Sequence, residues 1–161
     1  GQIKVIDDYG HHPTEIKAVL EAAQRLDSRR LIVVCQPHRY SRLEGFMGQF
    51  AAALMNCDFL ILTDVYAAGE SAPSRDLLKD LVGLMEGNDE NAVIHLKKKD
   101  ILRYLNVIKQ PGDAIVFLGA GDITYVADEF VALLREQNLR NMDGYGLISK
   151  KVDLPERISA I

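Results

Sequence analysis

The residues best suited to chemistry stand in four short polar clusters, each directly after an apolar run: Asp7-Asp8-Tyr9-Gly10-His11-His12, Gln36-Pro37-His38-Arg39-Tyr40-Ser41-Arg42, Thr63-Asp64-Val65-Tyr66-Ala67-Ala68-Gly69-Glu70 and Gly119-Ala120-Gly121-Asp122. The first gathers two carboxylates, a phenol and two imidazoles around one glycine, a density that packing does not account for. An acid at such a place accepts hydrogen bonds from ribose hydroxyls, as acids do in dinucleotide folds. Asp8, next to the loop glycine, is the better placed for that; the plainer alternative for Asp7 and Asp8 is a helix cap or a turn acid. The second cluster sets two guanidinium groups, Arg39 and Arg42, about one helical turn apart near the start of a helix. Forked arginines match carboxylate or phosphate oxygens two at a time. Cations at the positive end of a helix dipole argue for an anionic partner. In the fourth cluster, Gly119 and Gly121 would let backbone N–H groups approach an anion at a helix terminus, although a tight strand-to-helix turn uses the same residues.

His11, His12 and His38 all fall in these loops, where an imidazole serves as acid, base or metal ligand. Adjacent histidines rarely ligate one metal and neither cysteine is placed to help, so no metal site is assigned. His95 falls inside an apolar run and reads as structural. Lys97-Lys98-Lys99 reads as a solvated face.

Such clusters need a scaffold that brings them to one place. Ile3, Val5 and Ile6 suit a buried strand. A helix follows over 13–27, with Pro13 in its first turn and Glu15 where the dipole favours an acid. Leu31–Cys35, Phe59–Leu62, Ala92–Leu96 and Ala114–Leu118 read as further strands, the continuous apolar runs among them fitting strands covered on both faces. Helical periodicity marks 43–56, 97–109 and 123–137. It also marks a segment through Leu77, Leu81 and Met85, with Ser74 as N-cap and Gly87 as C-cap. The alternation predicts an α/β fold: a doubly wound, mainly parallel, five- to six-stranded Rossmann-like sheet with helices on both faces. In such a sheet all four clusters open on the carboxyl edge, where ligands bind. Residues 1–137 read as this domain. Residues 138–161 read as a C-terminal extension, with 147–152 a short edge strand or part of a flexible tail.

Composition narrows the classes further. A chain of 161 residues suits one domain, and 48% apolar with 26% charged residues is ordinary for a globular protein. The net charge of −4 argues against a non-specific grip on nucleic acid. No apolar run reaches the roughly 20 residues of a bilayer span, and no charged-then-apolar leader opens the sequence. Cys35 and Cys57 read as buried, reduced thiols. The expectation is a cytoplasmic protein with no nucleic-acid or membrane partner.

The four clusters, in this order and spacing over about residues 3–136, resemble the C-terminal domain of the Mur ligases. Within that family the match is to the branch that joins L-alanine to UDP-N-acetylmuramate. A muropeptide-recycling ligase shares a similar DD-[FY]-x-HHP stretch, and the His38-Arg39-Tyr40-Ser41-Arg42 segment favours the alanine branch. The resemblance implies a three-domain enzyme of peptidoglycan precursor synthesis, with UDP-sugar and ATP-phosphate domains preceding this one. ATP would phosphorylate the muramyl carboxylate, and the alanine amine would attack the acyl phosphate. On matching positions Asp8 would hold the ATP ribose, and Tyr9 and His11 would face the amino acid and acyl phosphate. His38, Arg39 and Arg42 would grip the alanine carboxylate and the developing charge, with His11, His38 and Arg39 as the catalytic set. Asp64, Tyr66, Glu70, Gly119, Gly121 and Asp122 are possible loop contacts. Magnesium would be held mainly by the central domain. The chain carries no G-x-x-G-K-[ST]-type phosphate loop, so no turnover is expected of it alone. A signalling receiver domain, the alternative class, would use Asp7, Asp8 and Asp64, but needs a lysine where Gly119–Asp122 stands.

Overall fold

The alternation of apolar runs and amphipathic segments folds as a single layered sheet in a computed structural model that describes residues 2–85, 92–143 and 157–159. Its elements are β1 (Lys4–Asp8), α1 (Pro13–Gln24), β2 (Leu31–Cys35), α2 (Tyr40–Gly45), α3 (Met47–Leu54), β3 (Phe59–Leu62), α4 (Leu77–Met85), β4 (Ala92–His95), α5 (Lys98–Ile108), β5 (Ala114–Leu118), α6 (Ile123–Asp143) and β6 (Arg157–Ser159). The six strands lie in the order β4-β3-β2-β5-β1-β6, every pairing parallel. β2 and β5 sit in the middle and are buried at every residue, whereas β4 at the edge is exposed at both ends and half-buried between them.

Strand periodicity divides the core in two. Ile6, Val33, Leu60, Leu62, Val116 and Leu118 face α1, α3 and α4 and pack on Ile16, Leu20, Phe50, Leu54 and Leu81. Val5, Ile32, Val34, Ile61, Ile115 and Phe117 face α5 and α6 and pack on Ile101, Leu105, Ile123 and Phe130. The chain leaves neighbouring β2 and β5 in opposite directions and on opposite faces, which makes the crevice outside their carboxyl ends the topological switch point. At the other edge Asp113, fully buried, forms a two-pronged pair with Arg30, Nε to Oδ1 at 3.1 Å and Nη2 to Oδ2 at 2.7 Å. That edge also carries a cavity of about 340 Å³ lined by Gln24, Leu31, Asn56 and Asp58 among others, away from the four clusters. Cys35 and Cys57 are buried free thiols. No helix among the described residues is long and apolar enough to cross a membrane.

Several local expectations need correction. The helix expected over 43–56 is two helices, broken at Phe46 (φ −122°, ψ 21°) between Gly45 and Gly48, where glycine weakens helix propagation. Asp76 rather than Ser74 caps α4, its Oδ1 taking the N–H groups of Leu78 and Lys79 at 3.1 and 3.0 Å. The expected cap at Gly87 and the expected strand at 147–152 lie outside the described residues. α6 continues past Gln137 to Asp143, and an edge strand is found at Arg157–Ser159, in register with Val5–Asp7 of β1.

Candidate functional site

β1 ends in its two acids. The strand alternation sends them to opposite faces: Asp7 receives Thr124 Oγ1–H of α6 at 2.7 Å, and Asp8 turns to the α1 side. Both are at most 9% exposed. Asp8 Oδ1 accepts the Gly10 N–H at 2.7 Å, and a Cβ at Gly10 would stand 2.8 Å from that oxygen. Asp8, the acid expected at a ribose, is thus nearly buried and held in place by the turn at one of its two oxygens.

The helix cap that might have been Asp7 or Asp8 is His12. Its Nδ1 accepts Thr14 N–H at 3.3 Å, while Glu15 Oε2 accepts the N–H groups of His11 and His12 at 2.9 and 3.0 Å. This is a capping box with an imidazole in the usual hydroxyl's place. Those two backbone donors hold the Glu15 carboxyl below its ordinary range. The His12 ring also packs edge-on against Phe46, with centroids 4.8 Å apart.

His11 points elsewhere. Tyr9, His11, His38 and Tyr66 form a row of rings with successive centroid separations of 5.5 Å, and the His38 and Tyr66 planes lie 12° apart. Tyr9 is 68% exposed. At the middle of the row Arg42 Nη1 lies 3.1 Å from His38 Nδ1 and 3.3 Å from His38 O. A guanidinium only donates, so His38 accepts at Nδ1 and is neutral with its proton on Nε2. Burial, then the charges of Arg42, His11 and Arg39, push the His38 pKa down against a smaller opposing pull from Glu70.

Arg39, next along, has φ 70° and ψ 131°, a backbone that L residues rarely adopt and that costs about 1–3 kcal/mol. Its side chain is exposed and makes no hydrogen bond or ion pair among the described residues. Glu70 reaches the same turn: its Oε2 accepts Ser41 N–H at 3.0 Å and its Oε1 accepts Ser41 Oγ–H at 2.6 Å. These bonds, with the Arg39 charge behind them, keep the Glu70 carboxyl below its ordinary range.

The Gly119–Asp122 turn is filled from within the chain. Gln36 Oε1 accepts the Ile123 N–H at 3.2 Å and Gln36 Nε2 donates to Asp122 Oδ1 at 2.8 Å, zipping the switch-point crevice between β2 and β5. A Cβ on Gly121 would lie 2.5 Å from Gln36 Oε1 and 2.6 Å from the Tyr66 ring, and one on Gly119 would lie 2.8 Å from Gln36 O. The glycines make room for protein, as a tight strand–helix turn requires. Burial works against the charge on Asp122, but hydrogen bonds from Lys98 and Gln36 outweigh it, and its pKa falls.

Two sequence readings gain partners here. Lys97 and Lys99 are exposed, as a solvated face requires, while Lys97 Nζ sits 3.0 Å from each Asp64 oxygen and Lys98 bonds Asp122. His95 is the exposed last residue of β4, with Nε2 3.0 Å from Asp64 Oδ1. Asp64 thus joins a separate cluster on the β3–β4 side of the rim. Among the described residues no group of three His, Cys, Asp or Glu side chains could hold a metal ion. Sequence reasoning gave Ser41 and Gln36 no role of their own; each acts through partners 29 and 86 or more positions away, which no local pattern signals.

An all-parallel, doubly wound sheet whose carboxyl rim carries a ring row and an arginine unpaired among the described residues places the protein in the α/β class. The chain belongs to the Mur ligase, glutamate ligase domain family, whose sequence model matches residues 1–121. It is 39% identical over 132 residues to a UDP-N-acetylmuramate–L-alanine ligase of Anaeromyxobacter dehalogenans, covering 82% of this chain and 29% of the relative. It is 44% identical over 136 residues to the enzyme of that name from Salinibacter ruber, covering 83% and 29%. The crystal structure of a UDP-N-acetylmuramate–alanine ligase from Thermotoga maritima superposes with a TM-score of 0.64 at 28% identity, over 84% of this chain and 27% of that one. The chain therefore spans less than a third of the length of these relatives.

Proposed function

We propose that this chain is the amino-acid-gripping domain of an ATP-dependent ligase that joins L-alanine to UDP-N-acetylmuramate. The observation that carries the reading is the pairing of Arg42 with His38 beside an unpaired Arg39, in a chain 39–44% identical to ligases of that name. Two guanidinium groups and an Nε2–H imidazole offer donors and no acceptors to the cleft. That suits the alanine carboxylate and the negative charge that grows as the amine attacks an acyl phosphate.

Catalysis by such a domain is positioning plus charge stabilisation. Arg39 and Arg42 orient the amino acid by its carboxylate, and His38 donates from Nε2. Tyr9 and His11 line the approach to the acyl phosphate, and Asp8 receives the ATP ribose. The UDP-sugar, the ATP phosphates and the remaining domains belong to the rest of the enzyme. The described residues do not gather a magnesium site.

The test is kinetic, in the intact ligase carrying this chain. Arg39→Ala and Arg42→Ala are each expected to lose a charge-assisted contact of about 2–4 kcal/mol. That is roughly a 30- to 900-fold fall in kcat/KM for L-alanine, with the KM for ATP little changed. Unchanged alanine kinetics in both variants would refute the assignment.

A further inference from the structure

Arg39 occupies an unfavourable backbone conformation, and a residue so placed persists only where its neighbours over-determine it. The segment after β3 supplies both restraints. On the near side Tyr66 O accepts the Arg39 N–H at 2.8 Å and Tyr66 N–H donates to Pro37 O at 2.9 Å, a parallel bridge that aligns His38 with Tyr66. On the far side the two Glu70 oxygens take the N–H and Oγ–H of Ser41. The chain reaches that position through Ala68 at φ 49° and Gly69 at φ 87°, with Glu70 N–H closing the turn on Ala67 O at 3.0 Å. Three residues between Pro37 and Ser41 are thus held at both ends while the Arg39 side chain has no hydrogen-bond partner among the described residues.

We propose that Glu70, acting through Ser41, is a positioning residue that holds Arg39 in its left-handed backbone and so aims the guanidinium groups at an anion. This rests on the reading of Arg39 and Arg42 as the anion grip, and it adds a part that reading does not contain. The sign of the effect separates positioning from simple charge. A carboxylate beside an anion site repels the anion, so on electrostatics alone its removal improves binding. If the carboxylate instead holds the arginine in place, its removal weakens binding.

Two measurements decide the matter. In this chain, NMR hydrogen exchange at the Ser41 amide and the HN–Hα coupling of Arg39 read the clamp directly. Glu70→Ala is expected to speed exchange at Ser41 and shift the Arg39 coupling; an unaltered amide and coupling would overturn the clamp. In the intact ligase, Glu70→Ala and Ser41→Ala are each expected to raise the KM for L-alanine about tenfold with kcat within about twofold. Ser41→Thr, which keeps the hydroxyl and the N–H, restores the wild-type value. An unchanged or lowered alanine KM in both alanine variants would overturn the positioning role. Should the wild-type ligase turn over no alanine, the functional reading fails, while the exchange data still decide the clamp.

Discussion

A guanidinium only donates, so the 3.1 Å contact of Arg42 with His38 Nδ1 leaves that nitrogen only an acceptor's role. Protonating His38 means breaking this contact in a setting already disfavoured by burial and by Arg42, His11 and Arg39. The imidazole is therefore expected to titrate below its ordinary value of 6.5, and Arg42→Met should move the midpoint back up, both readable by NMR. The unfolded chain takes up this proton first, so stability falls as pH drops below about 6.5 and levels off beneath the folded pKa. Glu15, Glu70 and Asp122, all held low, contribute stability above their ordinary values of 4.5, 4.5 and 3.8 that is lost as pH falls through their folded values. All four groups make acid destabilising. Denaturant midpoints that rise between pH 7 and pH 5 would contradict the His38 assignment. At this scale the sequence was most informative about residue types and least about their partners: His38 and Arg42 stand four apart and could be paired on paper, but Glu70 meets Ser41 across 29 positions.

The contacts that matter between elements are made where loops interlock. Gln36 leaves β2, spans the crevice and caps α6, while Tyr66 leaves β3 and lies over Gly121. Adding one methyl there forces the Tyr66 ring off His38 or the Gln36 amide off Ile123. Gly121→Ala is expected to cost about 1–3 kcal/mol by overpacking, measured as a lowered denaturant midpoint, and to loosen the His38–Tyr66 stack, visible as altered ring chemical shifts. Strands β2, β3 and β5 were legible because burial on both faces leaves unbroken apolar runs. The break at Phe46 was not, since an apolar residue continues the helical periodicity and only its flanking glycines hinted at a stop. His12 as a cap escaped notice for a similar reason: the proline and Glu15 marked the helix start, but histidine is not among the usual capping residues.

Taken whole, the molecule separates its tasks between the two edges of the sheet. The carboxyl rim carries the ring row, the arginines and a strained backbone. The amino edge carries a buried carboxylate matched by a guanidinium, with Arg30 also reaching Ile108 O at 2.9 Å. Replacing Arg30 with Met strands the Asp113 charge in the interior and is expected to cost about 3 kcal/mol, measured by denaturant unfolding. In the intact ligase, kcat/KM for L-alanine should stay the same per folded molecule. A parallel loss of alanine affinity would mean the two edges are coupled. The α/β class and the convergence of four loops on one rim followed from alternation alone. The strand order, with β5 inserted between β1 and β2, rests on long-range pairing that periodicity does not encode.

The two thiols offer a use for this architecture. Cys35 lies in the central β2 strand and Cys57 just before β3, and burial, the main cause in each case, lifts both to about 12. A sulfhydryl that is protonated and shielded does not meet an alkylating reagent. Cys57 lines the cavity at the amino edge, whereas Cys35 is enclosed in the central strand, so modification of Cys35 reports on the core. The rate at which iodoacetamide labels Cys35 becomes a clock for how often the centre of the molecule opens to water, readable without any substrate.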